Sequence, residues 1–253
     1  MLSEITDFFA RLDEIDCWVD GTGVANFPFQ RTPSEFLEFA ENDLKKMDPQ
    51  ATANSLANAK RAMDCQLDYF FETYGLSRIS AKERWSTGKK ISLMDDLGIV
   101  PQSILHKVNQ ARNDFEHRYE LPSVVTAENS IDIVGLFIAA TDLYLFPAKY
   151  GTYFEIRNET ETPGEEPKSR KLSDLLKKPS ADVHLDLLQN DAIGASATIN
   201  GITIDHQVSS EKELYDYLYL LTFILHSNRI NTPNSTKFFL KLKYAKPPSG
   251  PKG

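Results

Sequence analysis

The chain has 253 residues, of which 41% are hydrophobic and 25% charged, with 12 Gly and 13 Pro, enough apolar material for one large core or two modest ones. That composition excludes collagen-like, disulfide-scaffold and wholly disordered classes. A formal net charge of -8 weighs against nonspecific nucleic-acid binding over the whole surface, because phosphate affinity comes from clustered Lys and Arg, and makes any such contact local.

Residues Met1 to Ala10 carry Glu4 and Asp7 where a secretory signal has a basic region and an apolar run, so the expectation is a cytoplasmic protein. The most apolar window, Ile131 to Phe146, contains Asp132 and Asp142 and is shorter than the roughly 20 residues needed to cross a bilayer, so no membrane span is expected. Cys17 and Cys65 lie far apart without Cys-x-x-Cys or Cys-His spacing, which excludes a zinc ribbon and reads as two core cysteines. No His, Cys or carboxylate cluster has metal-ligand spacing, and no cofactor motif occurs.

In chain order, Ile5, Phe8, Phe9, Leu12 and Ile15 mark one face of a short N-terminal helix within an extension covering 1–31. A stronger helix opens at Thr32-Pro33-Ser34-Glu35 and runs to Met47. A long one spans about Ala51 to Tyr74, with Leu56, Ala59, Met63, Leu67, Phe70 and Phe71 as its apolar stripe and Gly75 as its cap. Residues Arg78 to Lys90 hold Arg78, Lys82, Arg84, Lys89 and Lys90 against Glu83 and read as a basic surface loop. Leu93 to Leu97 forms a short helix ended by Gly98. Pro101 starts another, carrying Ile104, Val108, Ala111 and Phe115 toward a core, and a helix from about Thr126 to Phe146 is apolar on nearly every side, as in the centre of a bundle. Residues 32–148 thus read as an all-helical domain.

Beyond Pro147 the pattern changes. Tyr153 to Ile156 reads as a strand, Asn158 to Arg170 as an exposed linker, and Leu172 to Leu176 as a short helix. Val183, Leu185 and Leu187 alternate with polar residues, and Asn200-Gly201 between alternating segments signals a two-residue hairpin. Ser210-Glu211-Lys212-Glu213 is a capping box before a helix with Leu214, Tyr217, Leu218, Leu221, Ile224 and Leu225, and Phe238 to Tyr244 is strand-like. The fold class read from this order is α+β: a helical bundle, then a smaller mixed domain over 149–245 and a disordered tail, 246–253.

Chemistry concentrates in Arg112-Asn113-Asp114-Phe115-Glu116-His117-Arg118-Tyr119. On an ideal helix at about 100° per residue, Arg112, Glu116 and Tyr119 share one face and Asn113 and His117 the neighbouring row, with Arg112 and His117 about 140° apart. Arg holds a phosphate bidentately and His moves protons near neutral pH. Those are the needs of RNA cleavage, where the ribose 2′-hydroxyl attacks its own phosphate and no metal is obligatory. Lys60 and Arg61 are further candidates for phosphate contact, with Glu116 and Tyr119 beside the substrate.

Arg112-Asn113-x-x-x-His117 near the end of a bundle helix, followed across a proline by a long apolar helix, resembles the HEPN superfamily, whose motif is Arg, four to six residues, then His. The extended form, Arg112-x4-His117-x-Tyr119, is similar to HEPN toxins paired with a minimal nucleotidyltransferase antitoxin, in which the tyrosine accepts adenylyl groups. The resemblance implies a four- or five-helix bundle that dimerises to bring two motifs into one cleft. It also implies a metal-independent endoribonuclease in a toxin-antitoxin or defence setting. Arg112 would hold the scissile phosphate, His117 would act as general acid or base, and Asn113 would orient them. The partners implied are RNA in the dimer cleft, a second copy of the chain, and an antitoxin or defence-system protein. Two other readings stay open: a noncatalytic HEPN module that binds RNA or a nucleotide or only dimerises, and a C-terminal sensor built on Tyr215, Tyr217 and Tyr219 with Lys237, Lys241 and Lys243.

Overall fold

Local signals start and stop the helices of residues 33–145. The structure is a computed structural model that describes residues 27–145, 152–156, 181–188, 194–199, 202–208, 213–214, 216–218, 221 and 225. At the first helix, α1 (Pro33–Leu44), the Glu35 amide donates to the Thr32 hydroxyl at 3.1 Å and the Thr32 amide donates to the Glu35 carboxylate at 2.7 Å. This reciprocal pair satisfies two amide donors that a helix start otherwise leaves open. Asp48 caps α2 (Pro49–Thr73), accepting from the Ala51 amide at 2.8 Å. The helix ends where Gly75 takes φ +70°, so that the Leu76 amide reaches back to the Phe71 carbonyl at 2.7 Å, a closure that glycine makes without Cβ strain.

Two further helices, α3 (Ser77–Lys82) and α4 (Thr87–Asp96), occupy the segment expected to be a basic loop. The expectation fails because Lys90 and Trp85 are engaged by residues of α2. Ser86 caps α4; Lys90 donates to Asp68 of α2 at 2.6 Å and lies 5.7 Å from the Phe71 ring centre, while Trp85 packs edge-on against Phe71. A long cationic side chain thus covers apolar surface while its head stays paired. The helix expected from Leu93 therefore begins six residues earlier.

The next helix, α5 (Gln102–Arg118), starts after Pro101 as expected, and α6 (Val124–Leu145) follows after a short connection. The long α2 touches every other helix of this group, and α1, α2 and α6 pack mutually. Their shared core holds Leu56, Met63, Leu67, Phe70 and Phe137, all nearly or fully inaccessible. Polar ties set the register. Asn58 donates to Asp43 at 3.0 Å between α2 and α1. Gln66 donates to Thr141 at 2.7 Å and to Asp142 at 3.0 Å between α2 and α6. The Tyr74 hydroxyl donates to the Tyr144 carbonyl at 2.7 Å.

Two stripes differ from the sequence reading. On α5 the buried positions are Leu105 and Val108, while Ile104 is exposed, a rotation of one residue that periodicity alone does not fix. On α6 the buried residues, among them Ala127, Val134, Phe137, Ile138 and Thr141, form one face, whereas Val125, Leu136 and Leu143 are exposed. The helix is thus packed on one side and does not run through the centre of the bundle. By length and composition α6, at 22 residues, is long and apolar enough to cross a membrane, but a core helix passes the same test, and this one has a buried face.

Residues Val24–Ala148 form one compact unit, and Met1–Gly23 with Lys149–Gly253 a second. In the second unit β1 (Thr152–Ile156), β2 (Ala181–Leu188), β3 (Gly194–Ile199) and β4 (Ile202–Gln207) form an antiparallel sheet in chain order. Ile199 pairs with Ile202, so Asn200 and Gly201 alone connect β3 to β4, as the hairpin signal requires. Residues 213–214, 216–218, 221 and 225 are helical, and Leu214, Tyr217, Leu218, Leu221 and Leu225 are buried at the expected helical spacing. His206 and Glu213 meet at 2.8 Å. Among the described residues the chain is mostly helical. The N-terminal helix at 5–15, the linker, the Leu172 helix, the Phe238 strand, the tail and Tyr215, Tyr219, Lys237, Lys241 and Lys243 lie outside the described residues.

Candidate functional site

The last two turns of α5 carry the motif. The helix ends at Arg118 because Tyr119 adopts a left-handed conformation, φ +59°, a region a residue with a Cβ enters at some cost. His117 therefore stands one residue from the helix end. It is exposed, and among the described residues no hydrogen bond or ion pair engages it. Tyr119, at 87% exposure, is the most open of the large side chains there, and its cap conformation takes it off the helical face expected to carry Arg112, Glu116 and Tyr119 together.

Arg112 is half-buried and forms an ion pair with Glu116 one turn later, as their spacing allows. A second ladder runs beside it: Gln110 donates to Asp114 at 2.7 Å, and Arg118 stands 3.4 Å from the same carboxylate. Asn113 lies half-buried between these ladders with no hydrogen-bond partner among the described residues. The two ladders use Glu116 and Asp114 and leave Asn113 and His117 as the open polar groups of this arc.

Because α5 is regular through both motif residues, Arg112 and His117 keep the roughly 140° separation of an ideal helix. The structure does not stack them within one copy. The hold on Arg112 is nevertheless weak. An exposed i,i+4 pair contributes about 0.2–0.5 kcal/mol, and less in this orientation, with Arg leading. Among the described residues Glu116 is the one group a phosphate would compete with for the guanidinium.

Lys60 and Arg61 diverge. Lys60 is buried to 8% exposure, and its ammonium donates to Asp64 at 2.6 Å, with the Thr87 hydroxyl 3.5 Å from the same carboxylate. Arg61 is exposed and donates to Asn58 at 2.7 Å. No hydrogen bond or ion pair among the described residues joins either to Arg112, Asn113, Glu116 or His117. Lys60 is thus held by the i,i+4 carboxylate of its own helix, which Thr87 of α4 also contacts; the pair is legible in the sequence, the burial of Lys60 is not. No group of three or more His, Cys, Asp and Glu positioned to hold a metal ion occurs among the described residues. Sequence reasoning also passed over Lys107, exposed on α5; a lone lysine on an amphipathic helix gives no signal until its neighbours in space are known.

No protein-family model matches the chain, and no curated protein or solved structure shows significant similarity to it.

Proposed function

We propose that the chain is a HEPN-type, metal-independent endoribonuclease that acts as a homodimer, its helical unit a HEPN-like bundle and its second unit an α+β domain. One observation carries this reading: an exposed, unengaged His117 one residue before the end of α5, with Arg112 on the same helix held only by a displaceable pair to Glu116. The resemblance of Arg112-Asn113-x-x-x-His117 to the HEPN motif supports it from the sequence side.

In this mechanism Arg112 leaves Glu116 for the scissile phosphate and stabilises the charge that builds on its oxygens as the 2′-hydroxyl attacks. His117 transfers a proton, either from the attacking hydroxyl or to the departing 5′-oxygen. Asn113, on the row next to Arg112, orients the phosphate or the imidazole. The ring of a single His117 cannot stack on its own Arg112, so the cleft is completed by a second copy. No cofactor takes part. The setting that fits is cytoplasmic, off the membrane, with RNA as substrate and an antitoxin or other defence protein as partner; Tyr119, open to solvent beside the motif, is where such a partner would reach.

The test is His117→Ala. It removes an exposed side chain with no partner among the described residues, so the fold should persist while RNA cleavage falls to background; cleavage at the wild-type rate overturns the assignment. A second reading draws on the Arg112–Glu116 pair itself, which suits a noncatalytic HEPN module whose arginine is structural. That reading expects a folded dimer that binds RNA or a nucleotide without turnover.

A further inference from the structure

We infer that the corner joining α3 to α4, with Lys107 of α5 beside it, is a surface for the phosphate backbone of single-stranded RNA. The choice of RNA rests on the reading above. The surface itself rests on where the unpaired cations lie.

Most lysines and arginines elsewhere in residues 27–145 are engaged by a carboxylate or amide, as Lys60 is by Asp64 and Lys46 by Asp43. Lys82, Arg84 and Lys107 are exposed and have neither an ion pair nor a hydrogen bond among the described residues. Lys89 has no carboxylate either and rests 4.7 Å from the Trp85 ring centre. Three of these groups are neighbours in the chain, and the fourth lies on the helix that packs against α4. Lys82 and Arg84 flank the end of α3, and Lys89 lies in the first turn of α4. Lys107 follows His106, whose ring edge would stand 3.9 Å from a Cβ at Gly88. Glu83 is the one carboxylate in the segment 78–90.

Side-chain composition selects the ligand. No large apolar side chain is exposed between Arg78 and Lys90, and Ile104 alone is exposed one turn from Lys107, whereas the buried centre of a protein interface is apolar and poor in charge. Cations without an apolar centre suit a phosphate backbone, whose attraction is electrostatic. Arg84 sits at φ +50°, closing α3 through a Trp85 amide to Ser80 carbonyl bond of 2.8 Å, which fixes the point at which its side chain leaves the helix end.

The experiment measures fluorescence anisotropy of a labelled single-stranded oligoribonucleotide against the full chain carrying His117→Ala, so that the probe stays intact, across a salt series. It is repeated after adding Lys82→Gln, Arg84→Gln and Lys107→Gln together, with Lys45→Gln and Lys46→Gln as a control pair. Circular dichroism checks that each variant is folded. Losing these cations should flatten the slope of log affinity against log salt by about 2, worth about 20-fold in affinity between 50 and 200 mM salt, with the control pair unchanged. Binding by the triple variant equal to its parent overturns the surface. A parent chain that binds poly-glutamate but not the RNA overturns it in favour of an acidic protein partner. Cleavage by the chain with His117 intact is measured separately, so the ribonuclease reading stands or falls independently.

Discussion

Replacing Gln66 by methionine tests how α2 holds α6. Gln66 is 1% exposed, and its amide nitrogen donates to Thr141 at 2.7 Å and Asp142 at 3.0 Å. Methionine keeps the length and nearly the volume of the side chain but has no donor. Asp142 is exposed and regains water, so little is lost there. Thr141 is fully buried and keeps its own donations to the Phe137 and Ile138 carbonyls, but its oxygen loses the bond it accepts. One buried hydrogen bond lost and one exchanged for water gives a cost of about 1–2 kcal/mol. Urea unfolding followed by circular dichroism should show it as a midpoint lowered by roughly 0.5–1 M, taking a slope of about 2 kcal/mol per molar. Gln66→Met combined with Thr141→Val should cost less than the two changes summed, by about 1 kcal/mol. A Gln66→Met midpoint equal to wild type would refute the reasoning, because the α2–α6 contact would then rest on apolar packing alone.

Left-handed positions give an opposed pair of changes. A Cβ at Gly75 meets nothing within 4 Å, so Gly75→Ala should lose about 1 kcal/mol through backbone strain alone, while Arg84→Gly should gain about 0.5–1 kcal/mol, both read by thermal unfolding. The Thr32 amide first and the Arg31 guanidinium second hold the Glu35 carboxyl below its ordinary value of 4.5. A depressed carboxyl stabilises the fold above its unfolded-state pKa and loses that contribution as pH falls through the folded one. Glu35→Gln should therefore be less stable than wild type at pH 7, with the difference closing below about pH 4.5. Burial, reinforced by Asp68 and Asp64, pushes the Cys65 thiol up to about 11 from 9.0. In a Cys17→Ser background it should react with a disulfide reagent at pH 8 about 100-fold more slowly than a free thiol. Reaction at the ordinary rate would contradict the burial and charge assigned to it.

Helix ends were the most legible part of the chain, because each is fixed by a residue whose chemistry acts locally. Thr32 with Glu35, Gly75 and Gly98 mark starts and stops within a residue or two of the observed ones. The Asn200-Gly201 hairpin and the buried set Leu214, Tyr217, Leu218, Leu221 and Leu225 were legible for the same reason. What sequence missed depends on partners distant in the chain. The segment 78–90 looked like a solvated loop because Lys90 is matched by Asp68 and Trp85 by Phe71, both on α2. Hydropathy showed that α6 is apolar but not that only one face would be covered, by α1, α2 and α5. At the candidate site, the helix, its end beside His117 and the Arg112–Glu116 spacing followed from the sequence. That Lys60 would be buried did not, nor did the left-handed cap that carries Tyr119 off the helix.

The central claim is most directly tested by the chemistry of the cut ends. Full-length wild-type protein is incubated with mixed RNA in excess EDTA, beside His117→Ala and Arg112→Ala, and the fragment termini are identified. The account predicts 2′,3′-cyclic phosphate and 5′-hydroxyl ends from the wild type alone, since the ribose hydroxyl is the nucleophile. Intact RNA from a folded wild-type dimer, or equal cleavage by His117→Ala, would contradict it.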